Sequence, residues 1–454
     1  MKTSSENSLN LSSARQALRR KVLAITLPIM LANVTIPFVG MVDTAVMGHL
    51  GSPHYIGAVA LGSFVFSLIT TAFGFLRMAT TGLVAQAYGA GNHDAVFRHL
   101  FRAVFIAINI GILILILCQP FLLVARSFLT ASEAVLEGMG VYITLLAFAG
   151  PAICFNMVML GVFFGLQRIR HCMIQIVVIN SLNIIGNLVL VFGFGMTIAG
   201  VALASVLAQY AGSVVSLALL FGVLGWPSGW PRPAPREIMT FQALRQYASL
   251  GRDLTIRTMA IVLAEVLVLN VAGGIDDVTL AASQLCFVVF GILSYSLDGF
   301  AHAAETLTGN AIGRRDPEGL KLAIRESSLM AMLTAVAMAV VVALGGGVFM
   351  RFLTSLPEVL ELVDSLMIWL VVMPVISVMA FQMDGVFIGA TEARVMRNAM
   401  LVSLLIFVPL LYLGEHLAGI DGIWIAFLVL LGLRGLTLWL NLDIVCRSAE
   451  PGPS

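Results

Sequence analysis

Charged residues are scarce in this chain of 454 residues. Asp, Glu, Lys and Arg together make up 11% of it, whereas a soluble globular protein carries about 25%. The only lysines, Lys2, Lys21 and Lys321, lie outside any glycine-rich phosphate loop, which excludes a P-loop ATPase. The 5 cysteines show no spacing typical of a disulfide framework or a zinc site. A net charge of +1 offers no basic surface for nucleic acid.

Apolar residues, by contrast, make up 59% of the chain and come in long runs. VLAITLPIMLANVTIPFVGMV and AVFIAINIGILILILCQPFLLVA each reach the ~20 residues that cross a bilayer as a helix. The first run is too long for a signal-peptide core and lacks a small-residue cleavage site, so we expect it to be retained. The composition therefore predicts an all-α, multi-pass membrane protein.

The runs predict about twelve spans of ~20 residues each. They are expected to begin near residues 22, 56, 103, 139, 172, 198, 247, 278, 327, 361, 396 and 421. The segment WPSGWPRPAPRE is rich in proline and tryptophan and divides the chain near its middle. The predicted organisation is a cytoplasmic segment at 1–21, an N-lobe at 22–225, a cytoplasmic linker at 226–246, a C-lobe at 247–446 and a cytoplasmic tail at 447–454.

The basic residues orient these spans in the membrane. With the N-terminus inside, only Arg126 and Arg351 fall in outer connections. Four arginines lie within spans, namely Arg77, Arg252, Arg257 and Arg434. All other Lys and Arg lie on the inner side, so the positive-inside rule predicts that both termini are cytoplasmic. Alternation across every connection also favours an even number of spans.

The two halves of the chain resemble each other at a constant shift of 224 residues. GVFFG at 161–165 reappears as GVFIG at 385–389, and Arg170 matches Arg394. Leu83, Ala87 and Gly89 match Leu307, Ala311 and Gly313. Each half therefore holds six spans, and the halves run parallel about an axis normal to the membrane. Two such lobes facing each other leave a central cleft, the geometry of alternating access.

The fifth predicted span carries three amides on one helix face. Asn180, Asn183 and Asn187 occupy positions i, i+3 and i+7. Amides are costly in hydrocarbon unless they are paired, so this face should point into the protein. The alternative is that they only join helices, which asparagines in membrane helices often do. Ser205 on the sixth span is a further candidate ligand, although small residues there also serve packing.

Asp43 is a lone carboxylate near the end of the first apolar run, in GMVDTAVMG. An acid within a span is a functional hypothesis by default, because burying its charge is expensive. Alternatively it touches water at the outer mouth, since it lies about 30 Å beyond Val22 along a helix. Small and polar residues share its helix face, and we predict that they contact substrate: Asn33, Pro37, Gly40 and Thr44.

The repeat does not duplicate this polar set. At a shift of 224 residues, Asp43 and Asn183 correspond to Leu267 and Phe407, and Asn187 corresponds to Leu411. The architecture is duplicated, whereas the amides and the acid occur in the first half alone. This asymmetry separates the scaffold from the predicted chemistry.

The second half has ionisable groups of its own. Asp253 and Arg257 at i and i+4 predict a local ion pair. Further acids within spans are candidates for the substrate cleft, namely Glu265, Asp298 and Asp384. Pairing of such acids with Arg257 or Arg77 across helices competes with a proton relay as their explanation.

Four segments resemble the DinF branch of the multidrug and toxic compound extrusion (MATE) transporters. They are VDTAVMGHLG, LRMATTGLVAQAYGAG, LDGFAHAAETLTGNAIGRRD and MDGVFIGATEARVMRN. The resemblance covers roughly residues 15–445. It implies twelve helices in two six-helix lobes and export of organic, often cationic or amphiphilic, compounds driven by entry of protons or sodium.

The resemblance also implies roles for individual residues. Asp43 matches the coupling carboxylate of the family, and Asn183 and Ser205 match members of its cation or proton network. Asn187 stands where many members have Asp, so this chain lacks the second carboxylate that favours sodium. We therefore expect proton coupling through Asp43, with sodium coupling as the alternative.

Other function classes are weaker predictions. A flippase for a lipid-linked precursor requires a large cationic groove, whereas only four arginines lie within spans. No DDxxD, HExxH or GxSxG motif indicates an enzyme, and no repeated filter-like loop indicates a channel. We expect a bacterial inner-membrane antiporter without a cofactor or metal. The exported compound and the oligomeric state are left open.

Overall fold

The computed structural model describes residues 4–225, 238 and 240–450, with the side chains of residues 4–12, 34, 37 and 38 excepted. Every regular element in that part of the chain is helical. This confirms the predicted all-α class. The proline-rich segment at 226–237 lies outside the described residues, as does the side chain of Pro37.

Eight helices precede the middle of the chain. They are α1 (Ser4–Gly48), α2 (Pro53–Ala72), α3 (Phe75–Gly89), α4 (His93–Phe128), α5 (Glu133–Ala147), α6 (Gly150–Gly165), α7 (Ile169–Asn187) and α8 (Ile198–Leu224). A single π-helical stretch, Leu188–Gly193, continues α7.

Within residues 240–450 the structure shows six helices. They are α9 (Phe241–Ile275), α10 (Asp277–Gly313), α11 (Pro317–Leu353), α12 (Pro357–Gly389), α13 (Ala393–Leu440) and the short α14 (Leu442–Ser448). α13 contains a break at Gly419, whose φ of 58° and ψ of −132° are not helical.

The described residues contain nine spans that are long and apolar enough to cross a membrane, one of them formed by α2 and α3 together. The bent pair α5 and α6 adds a tenth. Gly419 interrupts α13, and α1 contains the first predicted apolar run. The predicted total of twelve spans stays a prediction.

Several helices begin earlier than the apolar spans predicted within them. α4 begins at His93 rather than near 103, and α11 begins at Pro317 rather than near 327. The reason is that capping side chains start each helix before the apolar run begins. Asp276 caps α10 in the same way, and the backbone amide of Thr279 lowers the pKa of its carboxyl.

The chain forms two compact units. One, which we call the N unit, consists of Leu31–Val84 and Asn92–Gly251. The other, the C unit, consists of Met1–Met30, Ala85–Gly91 and Arg252–Ser454. Neither unit is a single stretch of sequence, whereas the predicted lobes were. The lobe boundaries at 225 and 247 stay predictions.

The internal repeat is visible in the backbone. Residues with a positive φ recur at the same shift of 224, even where the side chain changes: Gly91 and Arg315, Gln167 and Thr391, Gly195 and Gly419. The helix caps recur too, because the side chain of Asn92 accepts from Ala95 N, and that of Asp316 accepts from Gly319 N. The repeat therefore preserves turns whose positive φ is unfavourable for residues other than glycine.

The repeated glycines allow helices to pack closely. A Cβ on Gly161 would lie 2.6 Å from the carbonyl oxygen of Arg77 and 2.9 Å from Cβ of Thr80. In the other half, a Cβ on Gly385 would collide with the carbonyl oxygen of Ala301. Both contacts are made by equivalent residues, so GVFFG and GVFIG are packing segments of the duplicated scaffold.

Gly161→Ala should lower the thermal stability of the purified protein. The new methyl group meets backbone that cannot move away cheaply, and such overpacking costs about 1–3 kcal/mol. Gly222→Ala is the matched control, because a Cβ there has nothing within 4 Å in the described structure. We expect a lower melting temperature in detergent for Gly161→Ala alone, and equal melting temperatures for the two variants would contradict the packing role.

Candidate functional site

The first and seventh helices bring the predicted acid and amides together in the N unit. Asn187 is the last residue of α7, where the chain turns into the π-helical stretch. Its Nδ2 donates to Oδ1 of Asp43 at 2.5 Å and to Oδ1 of Asn183 at 3.2 Å. One amide therefore joins the carboxylate of α1 to the next amide along α7.

The chain of hydrogen bonds continues to α8. Nδ2 of Asn183 donates to Oγ of Ser205 at 2.7 Å, and Ser205 donates to the carbonyl oxygen of Val201. Asn180 lies outside this chain, since its Nδ2 donates to Oγ1 of Thr35 on α1 at 2.6 Å. Two amides of the predicted face thus belong to the Asp43 network, and the third joins helices.

The network is buried but incompletely satisfied. Asp43 is 8% exposed, Asn183 5% and Asn187 0%. Oδ1 of Asn187 has no hydrogen-bond partner among the described residues. A buried acceptor without a donor is unfavourable by about 1–3 kcal/mol. The Asp43 network therefore has room for one more hydrogen-bond donor or cation.

The equivalent positions of the C unit belong to its apolar core. Phe407 and Leu411, which correspond to Asn183 and Asn187, are fully buried there. Leu267, the counterpart of Asp43, packs against the same cluster. Apolar side chains occupy the equivalent positions in the C unit, so the shared fold does not depend on the polar network of the N unit.

A cavity of about 290 Å³ lies beside the Asp43 network within the N unit. Its lining combines apolar side chains with hydroxyls and amides: Val39, Ser63, Phe66, Ser67, Thr70, Tyr142, Leu146, Ile153, Met157, Ile179, Asn180, Asn183, Ser205, Ala208 and Gln209. None of these residues is charged. Asn183 and Ser205 belong both to the lining and to the Asp43 network, so they connect the acid to the cavity.

Aromatic side chains fill the corresponding part of the C unit. Phe287 replaces Ser63 of the cavity, and its ring centroid lies 5.3 Å from Trp424 and 5.3 Å from Phe427. Phe290 contacts Phe427 at 5.4 Å in the same group. The N unit therefore has space and hydroxyls where the C unit has aromatic rings in tilted and edge-to-face contact.

The other residues predicted beside Asp43 have different surroundings. Thr44 is exposed and donates to the carbonyl oxygen of Gly40 on its own helix, and Gly40 is exposed too. Asn33 is buried at 7% exposure. None of the three lines the cavity. Their predicted contact with substrate stays a prediction, as does that of Pro37.

The local ion pair predicted between Asp253 and Arg257 is wrong. Oδ1 of Asp253 contacts Nη1 of Arg397 at 2.7 Å and the neighbouring Arg252. Arg257 instead pairs with Asp384 on α12. Asp253 and Arg257 are both buried, and each pairs with a residue on another helix. The spacing of residues along one helix does not reveal such partners. Pairing of a C-half acid with Arg257 was predicted, and it is observed here.

Asp384 lies between two buried arginines of the C unit. Arg257 of α9 and Arg434 of α13 both contact its Oδ2. Arg434 also lies 5.8 Å from the ring centroid of Phe381. Glu265 and Asp298 are within electrostatic range of Arg434. These side chains join three helices, and the predicted substrate contacts of the acids are not tested by this arrangement.

One further acid–base pair lies on α10. Nδ1 of His302 is 3.2 Å from Oε2 of Glu305, which is 1% exposed. In the described residues, no group of three or more His, Cys, Asp or Glu could hold a metal ion.

Sequence reasoning missed several polar groups of the cavity. Gln209 lies one turn after Ser205 on α8, so the i, i+4 spacing would have identified it. Tyr142 and Ser63 bond to each other at 3.0 Å across α2 and α5, and no sequence pattern indicates that pair.

Comparison with known proteins gives the family. The MatE family profile matches residues 28–189 and again 254–413. DNA damage-inducible protein F of Escherichia coli is 38% identical over 91% of this chain and 90% of its own length.

The chain belongs to the MATE family. Its two profile matches are offset by nearly the same distance as the internal repeat. A MATE structure in the straight conformation superposes with a TM-score of 0.85 at 19% identity, covering 95% of this chain and 97% of that one. The eukaryotic MATE transporter AtDTX14 gives 0.83 at 17% identity, with 96% and 98% covered. These likenesses confirm the predicted two-lobe fold class, and the DinF-like relative confirms the predicted branch.

Asp384→Asn should destabilise this MATE protein strongly. It leaves two buried arginines without their shared counter-ion, and removing one partner of a buried ion pair costs about 3–5 kcal/mol. Asp364→Asn is the matched control, because Asp364 is 46% exposed and pairs with Arg351 at 3.3 Å. An exposed pair contributes only ~0–1 kcal/mol. Thermal unfolding in detergent should separate the two variants, and an equally small loss for both would refute the structural role of Asp384.

Proposed function

We propose that the chain is a proton-driven antiporter that exports amphiphilic organic compounds, many of them cationic. Asp43 carries the coupling proton, and the cavity of the N unit receives the substrate. The family membership supports transport as the function rather than catalysis. The name of one relative in Thermotoga maritima, a probable multidrug resistance protein NorM, supports organic substrates.

The unsatisfied oxygen of Asn187 carries the proposal. When Asp43 is ionised, it accepts from Nδ2 of Asn187, and Oδ1 of that amide has no donor among the described residues. A protonated carboxyl has an O–H to donate and keeps one oxygen to accept with. An acid and an amide then form a pair with two parallel hydrogen bonds. Protonation of Asp43 would therefore satisfy the one acceptor that the network leaves without a donor.

The orientation of the same amide favours a proton over sodium. A sodium ion binds through oxygen ligands, whereas the Asn187 amide turns its N–H donor toward the carboxylate. Asn183 Oδ1 is likewise occupied by Asn187 Nδ2. A bound sodium ion would require these amides to rotate and the hydrogen bonds to break. Sodium coupling is the alternative that the experiments below distinguish.

The shared residue Asn183 couples the acid to the cavity. An ionised Asp43 adds negative potential to a cavity that has no charged lining residue, and low dielectric strengthens that effect. A cationic substrate is therefore held more tightly when Asp43 is ionised. Proton entry from the outer side removes the charge and favours release, and loss of the proton toward the cytoplasm restores binding. Asn187 and Asn183 form the hydrogen-bonded path between Asp43 and the cavity.

The expected location is the bacterial inner membrane with both termini cytoplasmic. The distribution of Lys and Arg supports this orientation. The relative in E. coli supports the bacterial setting. A flippase for lipid-linked pyrophosphates is disfavoured, because Arg257 and Arg434 both contact Asp384, so their charge is partly neutralised.

Asp43→Asn should abolish transport driven by a pH gradient. The variant keeps the shape of the side chain but can neither ionise nor exchange a proton. Proteoliposomes with an imposed pH gradient, in potassium salts only, should show uptake of a fluorescent organic cation for the wild type and background uptake for Asp43→Asn.

Asp364→Asn serves as the control, since that exposed acid lies outside the N unit. Wild-type transport by Asp43→Asn would refute Asp43 as the coupling site. Transport by the wild type that requires sodium and ignores the pH gradient would refute proton coupling.

Asn187→Asp should introduce a sodium response that the wild type lacks. The change places a second carboxylate beside Asp43 and replaces an N–H donor by an oxygen. Carboxylate oxygens are the ligands that a hard cation prefers. We expect the melting temperature of the variant to rise in sodium chloride relative to potassium chloride, and that of the wild type to be the same in both salts. A sodium-dependent rise in the wild type would contradict the proposed choice of ion.

A further inference from the structure

A second polar network reaches the cavity through Gln209. Asn156 of α6 is 4% exposed, and its Nδ2 donates to the backbone oxygen and to Oε1 of Gln209, each at 2.9 Å. Its Oδ1 accepts from Ser213 at 3.1 Å. Gln175 donates to the backbone oxygen of Asn156 at 2.9 Å. Hydrogen bonds to Gln209, Gln175 and Ser213 thus fix Asn156, and Asn156 in turn fixes the carbonyl oxygen of the Gln209 side chain.

This attachment sets the orientation of the Gln209 amide. Because an amide is planar, fixing Oε1 on Asn156 directs the NH2 group away from Asn156. Gln209 lines the cavity, and its Nε2 has no acceptor among the described residues. Two N–H donors are therefore presented to the cavity by a side chain whose other end is fixed.

Apart from the hydroxyl of Tyr142, whose oxygen accepts from Ser63, the other polar donors of the lining are wholly or partly in use. Ser67 donates to the carbonyl oxygen of Phe64, and Thr70 to that of Phe66. Asn183 uses one N–H on Ser205. Of the amides that line the cavity, Gln209 is the one with both N–H bonds available in the described structure.

The positions of Ser205 and Gln209 on α8 give the distance between the two polar parts of the site. Ser205, which ends the Asp43 network, and Gln209 are four residues apart on α8, so they face the same side at a rise of about 6 Å. The Asp43 network reaches the cavity at Ser205, and Gln209 offers donors one turn further along α8. A ligand complementary to both carries a cation and, about one helical turn away, a hydrogen-bond acceptor.

We propose that Gln209 is a specificity-determining residue that donates hydrogen bonds to a carbonyl or ether oxygen of the substrate. The preferred substrates are organic cations with an apolar body and such an oxygen about 6 Å from the charge. The cavity volume of about 290 Å³ limits them to one small aromatic group with a short chain. This inference rests on the proposed function, because it assigns substrate binding to the same cavity.

Two matched probes isolate the oxygen. They are (4-oxo-4-phenylbutyl)trimethylammonium and 4-phenylbutyltrimethylammonium, which have the same charge and skeleton and differ only in the ketone. Binding is measured by calorimetry on the full-length protein in detergent. We expect the wild type to bind the ketone about tenfold more tightly, which corresponds to a net hydrogen-bond contribution of ~1.4 kcal/mol.

Gln209→Met is the test variant, because methionine has a similar length and no donor. It should lose the preference for the ketone and bind the alkyl probe as the wild type does. Unchanged binding of the alkyl probe shows that the cavity is still folded. Gln119→Met is the control, since Gln119 bonds to Thr144 in the same unit and is absent from the cavity lining. It should keep the wild-type ratio.

Three outcomes would overturn the inference. They are equal binding of both probes by the wild type, a preference that persists in Gln209→Met, and a loss of both probes together in that variant. The proposed function fails differently: a wild type that prefers the ketone but moves neither probe under a pH gradient refutes the exporter and not the role of Gln209. Failure of the two proposals is therefore distinguishable.

Discussion

The hydrogen bond from Asn187 to Asp43 is the interaction on which the chemistry of the N unit depends. It lies in a part of the molecule where neither side chain is more than 8% exposed. A buried carboxylate needs a partner, and the amide that supplies one also binds Asn183 and, through it, Ser205. The acid, two amides and a hydroxyl thus act as one unit. A change of charge at Asp43 alters the potential in the neighbouring cavity without any residue of the lining being ionised.

The two units share a scaffold but differ in what fills it. Turns with positive φ, helix caps and closely packed glycines recur 224 residues apart. In the C unit the equivalent interior is filled by Phe287, Trp424 and Phe427, and its charges are paired around Asp384. One copy of the scaffold packs aromatic rings at these positions, and the other keeps a cavity and a partly satisfied polar network.

Much of this could be predicted from periodicity. Hydropathy and the positive-inside rule gave the spans, and the spacing of Asn183 and Asn187 placed both amides on one face. Asp43 was recognised because an acid is rare in an apolar run. The local pair between Asp253 and Arg257 was predicted wrongly, because each residue pairs with a partner far away in sequence. The bond between Asn156 and Gln209 was missed for the same reason, since it spans 53 residues.

Proton release on substrate binding measures directly whether Asp43 couples protons to the substrate. A cationic probe that prefers ionised Asp43 must displace its proton, so binding in weakly buffered potassium solution should release protons over part of the pH range. We expect release by the wild type and none by Asp43→Asn at equal probe occupancy. Binding without proton release by the wild type at every pH, or equal release by Asp43→Asn, would contradict it.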